Sequence, residues 1–253
     1  MREQPLPGTF RIGTLNLRNI ADRWPERLPL LLADMAAEQP DVLGLQECVF
    51  AIGQDRLLAA AGDGRYGIRR AWAGRPEYGN AALARDPLEL GEAQRLDLGR
   101  NRSALRVPVL GDGRLLFELA VTHLHHVPAD AGVRDGQVRD LVAWLDVGVD
   151  RPLVVVGDFN ATPSEPAYAR MAAAGFRSAF LEANRAEPQY TWPSGIQAEG
   201  IDTDGSPGCL DYIWLRGALT ATAARLAFDR PAADDSTLYP TDHLGIVATV
   251  ALT

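Results

Sequence analysis

The pattern of apolar runs in this chain predicts an α/β sandwich: two packed, mostly antiparallel β-sheets flanked by helices. Many short strand-like segments alternate with few helical ones, which does not suit a doubly wound parallel sheet. Glycine and proline, 24 and 17 residues, punctuate the whole length evenly, as a fold of many short elements requires. A length of 253 residues with 47% hydrophobic content is ample for a sizeable core. With no internal repeat, low-complexity stretch or long linker, the expectation is a single domain over residues 1–253.

Residues 10–17 (FRIGTLNL) read as the first strand. From Trp24 to Ala37, Leu28, Leu31, Leu32 and Met35 fall at helical spacing, with Pro25 and Pro29 tolerated near the start. Pro40-Asp41 breaks this helix, and DVLGLQE follows as a short, mostly apolar strand. Further strands are expected at 66–73, 78–84, 102–110, 114–122, 152–158, 210–216 and 244–252. In the last of these Ile246, Ala248, Val250 and Leu252 alternate with a period of two. Helices are expected near 130–146, where Val138, Leu141, Val142 and Leu145 share a face, and near 165–174.

Composition excludes several classes. The make-up is that of a folded chain, not a disordered or collagen-like one. No apolar run approaches the roughly 18 residues that would suggest a membrane span. Residues 1–13 lack the apolar stretch of a secretory signal, so a cytoplasmic location is expected. All 25 basic residues are arginine, which reads as codon bias of a GC-rich genome. The net charge of −8 weighs against tight, sequence-blind binding to long duplex DNA. Cys48 and Cys209 are too few for a disulfide scaffold and read as small buried hydrophobes.

The informative residues are acids placed where a core should be. Leu153–Val156 has the composition of a strand buried on both faces, and it ends in Gly157-Asp158-Phe159-Asn160. In an extended chain Asp158 and Asn160 point the same way and Phe159 the other, although the same tetrapeptide also suits a turn. Val42–Leu45 likewise runs into Gln46-Glu47. Asp211 lies within the apolar run Cys209–Trp214, where an unpaired carboxylate would cost several kcal/mol and so needs a partner. Asp242 and His243 precede the final strand; neighbours in sequence, they can serve one site only from a loop, which Pro240 favours. If Glu47, Asp158, Asp211 and Asp242 converge, repulsion raises their pKa values unless a cation neutralises them. Oxygen donors without cysteine or paired histidine suit Mg2+ or Mn2+ and argue against zinc. His123 ends the strand LLFELAVTH; His125 and His126, just beyond, read as surface residues of a loop.

Taken in order, Thr14-Leu15-Asn16, Leu45-Gln46-Glu47, Tyr78-Gly79-Asn80, Val121-Thr122-His123, Gly157-Asp158-Phe159-Asn160, Leu210-Asp211-Tyr212 and Thr241-Asp242-His243 resemble the motif blocks of the endonuclease/exonuclease/phosphatase superfamily of metal-dependent phosphoesterases. The resemblance spans residues 10 to 250. It implies a four-layered α/β sandwich with one active site between two sheets, acting on a phosphate ester of a nucleic acid or of a smaller molecule; a monomer is expected. By the same resemblance Glu47 is the principal metal ligand, with Asn16 and Asp242 holding the ion or its waters. Asp158 orients or deprotonates the attacking water, and Asn160 holds that water or a phosphate oxygen. Asp211 fixes His243 as an imidazolium that binds phosphate. His123 contacts phosphate or protonates the leaving oxygen. Arg102 is implied to lie near the substrate, with Arg100 and Arg106 as alternative equivalents, and Asn80 to touch substrate or serve the strand edge. Trp192 either walls the cleft or belongs to the core.

Departures bear on substrate. Arg18 follows Asn16 by two, where apurinic-site endonucleases tend to carry an acid, and Cys209 replaces a basic residue common in relatives. His123 resembles the branch holding deoxyribonuclease-like enzymes, sphingomyelinases and deadenylases. The expected activity is hydrolysis of a phosphodiester in a nucleic acid or a smaller molecule such as a lipid headgroup. A phosphomonoesterase of the same fold, or a catalytically silent binding module, are the alternatives.

Overall fold

Alternation with a period of two divides the apolar side chains of each strand between two faces. The computed structural model describes residues 8–146, 151–201 and 205–253. Its elements are β1 (Thr9–Asn16), α1 (Trp24–Glu38), β2 (Val42–Val49), α2 (Gln54–Ala61), β3 (Tyr66–Ala73), β4 (Arg75–Arg85), β5 (Leu88–Leu90), β6 (Gln94–Gly99), β7 (Arg102–Gly111), β8 (Arg114–His123), α3 (Ala131–Leu145), β9 (Leu153–Asp158), α4 (Pro166–Ala173), β10 (Arg177–Ser178), α5 (Ala179–Asn184), β11 (Asp211–Arg216), β12 (Leu219–Ala227) and β13 (Gly245–Leu252). One sheet has six strands in the order β12-β13-β1-β2-β4-β3. The other has seven, β10-β11-β9-β8-β7-β5 with β6 on β7. The pairs β1–β2 and β8–β9 are parallel, each bridged by one helix, α1 or α3; the other pairings are antiparallel.

Three apolar layers hold the sandwich together. Between the sheets lie Ile12, Val42, Leu105, Val121, Val154, Val156, Ile213 and Ile246. On the outer face of the six-stranded sheet Leu43, Leu45 and Leu83 meet Leu31 and Met35 of α1 and Leu58 of α2. On the outer face of the other, Leu153, Val155 and Trp214 meet Val138 and Leu141 of α3 and Met171 of α4. The four-layered architecture follows, as the sequence predicts. At about 25 cal/mol per Å2 the burial of such side chains is the main stabilising contribution. Both cysteines join the outer layers, and burial pushes their thiols up in pKa.

Near one end of the sandwich the inward-facing positions change character. Ile12 is followed two residues on by Thr14 and then Asn16; Val42 by Gly44 and then Gln46; Val154 and Val156 by Asp158; Leu119 and Val121 by His123. On the antiparallel strands the same change reads backwards, from Leu215 and Ile213 to Asp211 and from Ala84 and Ala82 to Asn80. Polar side chains from both sheets therefore gather at one end of a shared apolar core. The sheets approach closely just beneath, since a Cβ on Gly44 would lie 2.3 Å from Cγ2 of Val156.

Candidate active site

Strand register sets His123, Asp158 and Asp211 side by side. Parallel pairing puts His123 opposite Asp158, and antiparallel pairing puts Asp211 on the other flank of Asp158. Asp158 points into the space between the sheets, while Phe159 turns into the helix-side core against Tyr212, as alternation predicts. The loop before β13 then brings in His243, whose Nδ1 lies 2.9 Å from Oδ2 of Asp211. Its Nε2 is 3.7 Å from Oδ2 of Asp158, and Nε2 of His123 is 3.4 Å from the same oxygen. Asp211, His243 and Asp158 thus form a buried line, with His123 beside its end.

The opposing sheet joins this line through Asn16, which ends β1. Its Nδ2 donates to Oδ2 of Asp158 at 3.0 Å, and its Oδ1 accepts from the backbone N–H of Arg18 at 2.9 Å. The other oxygen of Asp158 accepts from the backbone N–H of Asn160 at 2.8 Å, a turn in which Asn160 adopts φ +48°, a conformation asparagine tolerates. The Asn160 amide donates to the carbonyl of Leu124. The extended strand places Asp158, and the turn that follows at Asn160 fixes the carboxylate.

Glu47 stands next to Asn16 in the six-stranded sheet. Gln46 pairs with Asn16, and a β-bulge sets Gln46 and Glu47 together opposite Asn80. Glu47 takes φ +54°, and bulges of this kind re-aim a side chain. Half-buried, it accepts a 2.8 Å hydrogen bond from Nδ2 of Asn19 and, among the described residues, has no ion-pair partner. Arg18 is taken by Asp22 at 2.6 Å and by Asp242 at 3.7 Å. Asp242 also accepts from the Trp192 indole at 3.3 Å and from Thr241, whose hydroxyl lies 2.8 Å from the carbonyl of Asn16. Trp192 therefore borders the site; it is half-buried, not core.

Arg102, not Arg100 or Arg106, reaches this site: its Nη2 lies 3.0 Å from Nδ1 of His126, and its charge acts on Tyr78 and His123. Arg100 is exposed in a turn, and Arg106 is paired with Glu118 on the helix side, near Trp144. Asn80 is buried and donates to the carbonyl of Ser103, the residue after Arg102, at 2.7 Å. His125 is buried, contrary to its reading as a surface residue, with Nε2 2.8 Å from Asp130 and its backbone N–H on Gln137. His126 is exposed but lies on the cleft beside Arg102, within electrostatic reach of Glu47. Sequence reading passes over Asn19, takes Arg18 only as a departure from relatives and takes His126 only as a surface residue, because loop residues carry no alternation. A turn-forming asparagine three residues after Asn16 is the one available signal.

Electrostatics sets the protonation states. Burial raises Asp158 to about 7, with Asp211 adding to the rise and His243 opposing it. For His243 burial acts to lower the pKa, but Asp211, Asp242 and Asp158 outweigh it and hold the imidazole charged, well above the ordinary histidine value. His123 is driven well below that value by burial and by Arg102 and His243, so it is neutral. One ligand atom each from Asp158, Asp211 and His243 lies within 4.8 Å of the others, a buried group that could hold a metal.

Residues 13–243 match the Endonuclease/Exonuclease/phosphatase family over most of the chain. The chain belongs to this family. Curated relatives are Nocturnin of Xenopus laevis, 28% identical over 89% of this chain and 64% of that protein, and Nocturnin of Mus musculus, 30% identical over 89% and 58%. The chain spans about three fifths of the length of these relatives. Among solved structures of similar fold is the human Nocturnin catalytic domain with bound sulfate, with a TM-score of 0.79 and 26% identity over 98% of this chain and 96% of that one. D. rerio TDP2 complexed with a single-strand DNA product shares the fold, with a TM-score of 0.78 at 20% identity over 96% and 98%. The family assignment agrees with the two-sheet sandwich and the cluster of buried polar side chains between its sheets. No helix among the described residues is long and apolar enough to cross a membrane.

Proposed function

We propose that this family member hydrolyses a phosphodiester, in a nucleic acid or a smaller molecule such as a lipid headgroup, with Mg2+ or Mn2+ as cofactor. The observation that carries this reading is the facing of two devices across the sheets. On one side stands the Asp211–His243–Asp158 line; on the other, joined through Asn16, stands a half-buried Glu47 without a cationic partner among the described residues.

The donor set fits a hard divalent ion: Glu47 would hold it, with Asn16 and Asp242 steadying it or its waters, all oxygen donors. When bound, the ion would neutralise negative charge on the phosphoryl oxygens. The buried Asp158–Asp211–His243 group is the weaker seat. Its charged imidazole already neutralises the carboxylates and, once protonated, has no lone pair to give.

The chain's own residues supply the rest. Asp158, with a pKa near neutrality, is matched to accepting a proton from water, and its Oδ1 is fixed by the Asn160 N–H for that task. His243 presents a cationic N–H to phosphate, and Asp211 fixes its tautomer without taking its proton. His123, neutral, offers a hydrogen bond to a phosphate or leaving oxygen. Arg102 gives the cleft a cationic side that suits a second ester substituent or a neighbouring phosphate, and His126 beside it is held neutral by partial burial and by Arg102. Asn80 steadies the strand that carries Arg102.

The test is turnover of bis-p-nitrophenyl phosphate against p-nitrophenyl phosphate with Mg2+, Mn2+ or EDTA. Diester turnover that needs either metal and stops with EDTA is expected. Preference for the monoester would move the reading to a phosphatase, and no turnover of either would overturn it.

A further inference from the structure

We propose that Arg27 and Arg134 are positioning residues, a pair of clamps that hold the two lips of the cleft. The inference rests on the hydrolytic reading of that cleft for its kinetic arm only. Each arginine is the fourth residue of the helix that bridges a parallel strand pair, Arg27 in α1 after β1 and Arg134 in α3 after β8. Each is fully buried, 0% and 1% exposed. A cation in the first turn of a helix opposes the macrodipole, and a buried guanidinium needs a partner for each N–H, so neither placement is favourable on local grounds. Neither helix has a capping side chain hydrogen bond at its N-terminus. In both, the arginine grips the loop leading into the helix.

Arg27 gives its N–H groups to five backbone carbonyls. Nε reaches Asp22 at 2.7 Å; Nη1 reaches Leu17 at 3.1 Å and Pro240 at 2.9 Å; Nη2 reaches Arg18 at 3.3 Å and Ala21 at 2.7 Å. Four of these flank Asn19, which holds Glu47, and the fifth lies two residues before Asp242. A single side chain thus ties the lip that supports Glu47 to the loop that carries Asp242 and His243. Burial lowers Arg27 only to about 10, so it stays charged at neutral pH beside Asp242 and Asp22.

Arg134 acts on the other lip. Its Nη1 donates to the carbonyls of Val127 at 2.6 Å and His125 at 3.4 Å, and its Nη2 to that of Pro128 at 3.0 Å. Nε and Nη2 also meet Oε2 of Glu165, at 3.0 and 2.6 Å. The loop so held carries His126, the neighbour of Arg102. Lysine cannot stand in for either arginine, because its donors radiate from one point and cannot span such a ring of carbonyls.

The experiment compares the full chain with Arg27→Lys and Arg134→Lys, by amide hydrogen exchange and by steady-state turnover of bis-p-nitrophenyl phosphate. In Arg27→Lys, exchange is expected to quicken in 17–23 and 240–243 but not in 153–158, with kcat lower by about 100-fold, the scale of a misplaced catalytic group. In Arg134→Lys, exchange quickens in 124–129 and the loss falls on KM more than on kcat. Millimolar guanidinium is expected to restore turnover to Arg27→Ala. If Arg27→Lys does not fold, Arg27→Ala prepared with guanidinium carries the same comparison. Wild-type exchange in the gripped segments, or a lowered Tm with wild-type kcat and KM, overturns the clamps. If the unaltered protein turns over no phosphoester, the hydrolytic reading falls, and the exchange data still decide the clamps.

Discussion

Asp158 sits among influences that disagree about its charge. Burial and Asp211 favour the protonated form, while His243, Asn16 and the Asn160 N–H favour the carboxylate, and the balance lies at about 7. If Asp158 accepts the proton of water, its ionised form is the active one, so kcat/KM falls as pH drops through about 7. Asp158→Asn is expected to lose at least about 100-fold in kcat and the acidic limb of the profile with it. His243 gives the opposite sign. It works as a cation, so activity falls as pH rises through its elevated pKa. Asp211→Asn removes the largest influence raising that pKa and is expected to move the alkaline limb of the pH–rate profile toward lower pH. An alkaline limb that stays in place in Asp211→Asn assigns it to another group. His243→Ala is expected to lose at least about 100-fold in kcat, the scale of a lost electrostatic contact, read by the same assay.

At the scale of elements, the strands that build the site were legible because burial on one or both faces writes itself into the sequence. β1, β9, β11 and β13 fall within a residue or two of their expected ranges. So do α1 and α3, whose buried stripes run through Leu31 and Met35 and through Val138 and Leu141. β12 was not legible: LTATAARLA is a run of small residues at a sheet edge, without strong alternation. β5 and α5 are too short for a period to emerge. The bulge at Gln46-Glu47 was also hidden, because an inserted residue is a matter of pairing with β4 and not of composition. Gly44 carries a further expectation. With Val156 so near its backbone, Gly44→Ala is expected to lower stability by about 1–3 kcal/mol, the usual cost of overpacking, as read by chemical denaturation. No loss of stability would mean that the sheets can separate there.

For the whole molecule, the site exists only because two sheets end their apolar inner faces at the same level. Glu47, Asp158 and Asp211 were visible as misfits at apolar runs and Asp242 in the loop before the last strand, and the order of the motif blocks that hold them carried the family resemblance. What the sequence could not supply is the division of labour among them. Asp158 and Asp211 flank a charged histidine, whereas Glu47 sits apart, hydrogen-bonded by the Asn19 amide and without an ion-pair partner among the described residues. The loops that complete the cleft, with Asn19 and His126, and the grip of Arg27 of α1 on one of them follow from tertiary contacts alone. Because hydrogen-bonded partners of a metal-binding carboxylate typically change affinity 10–100-fold, Asn19→Ala is expected to raise the Mg2+ concentration needed for half-maximal turnover by about that factor. The most direct measurement is Mn2+ binding followed by electron paramagnetic resonance in the unaltered protein, Glu47→Gln and Asp211→Asn. The expected result is binding that weakens by about tenfold or more in Glu47→Gln and stays near the unaltered value in Asp211→Asn. Binding that survives Glu47→Gln but is lost in Asp211→Asn would contradict the assignment, placing the ion in the buried Asp158–Asp211–His243 group.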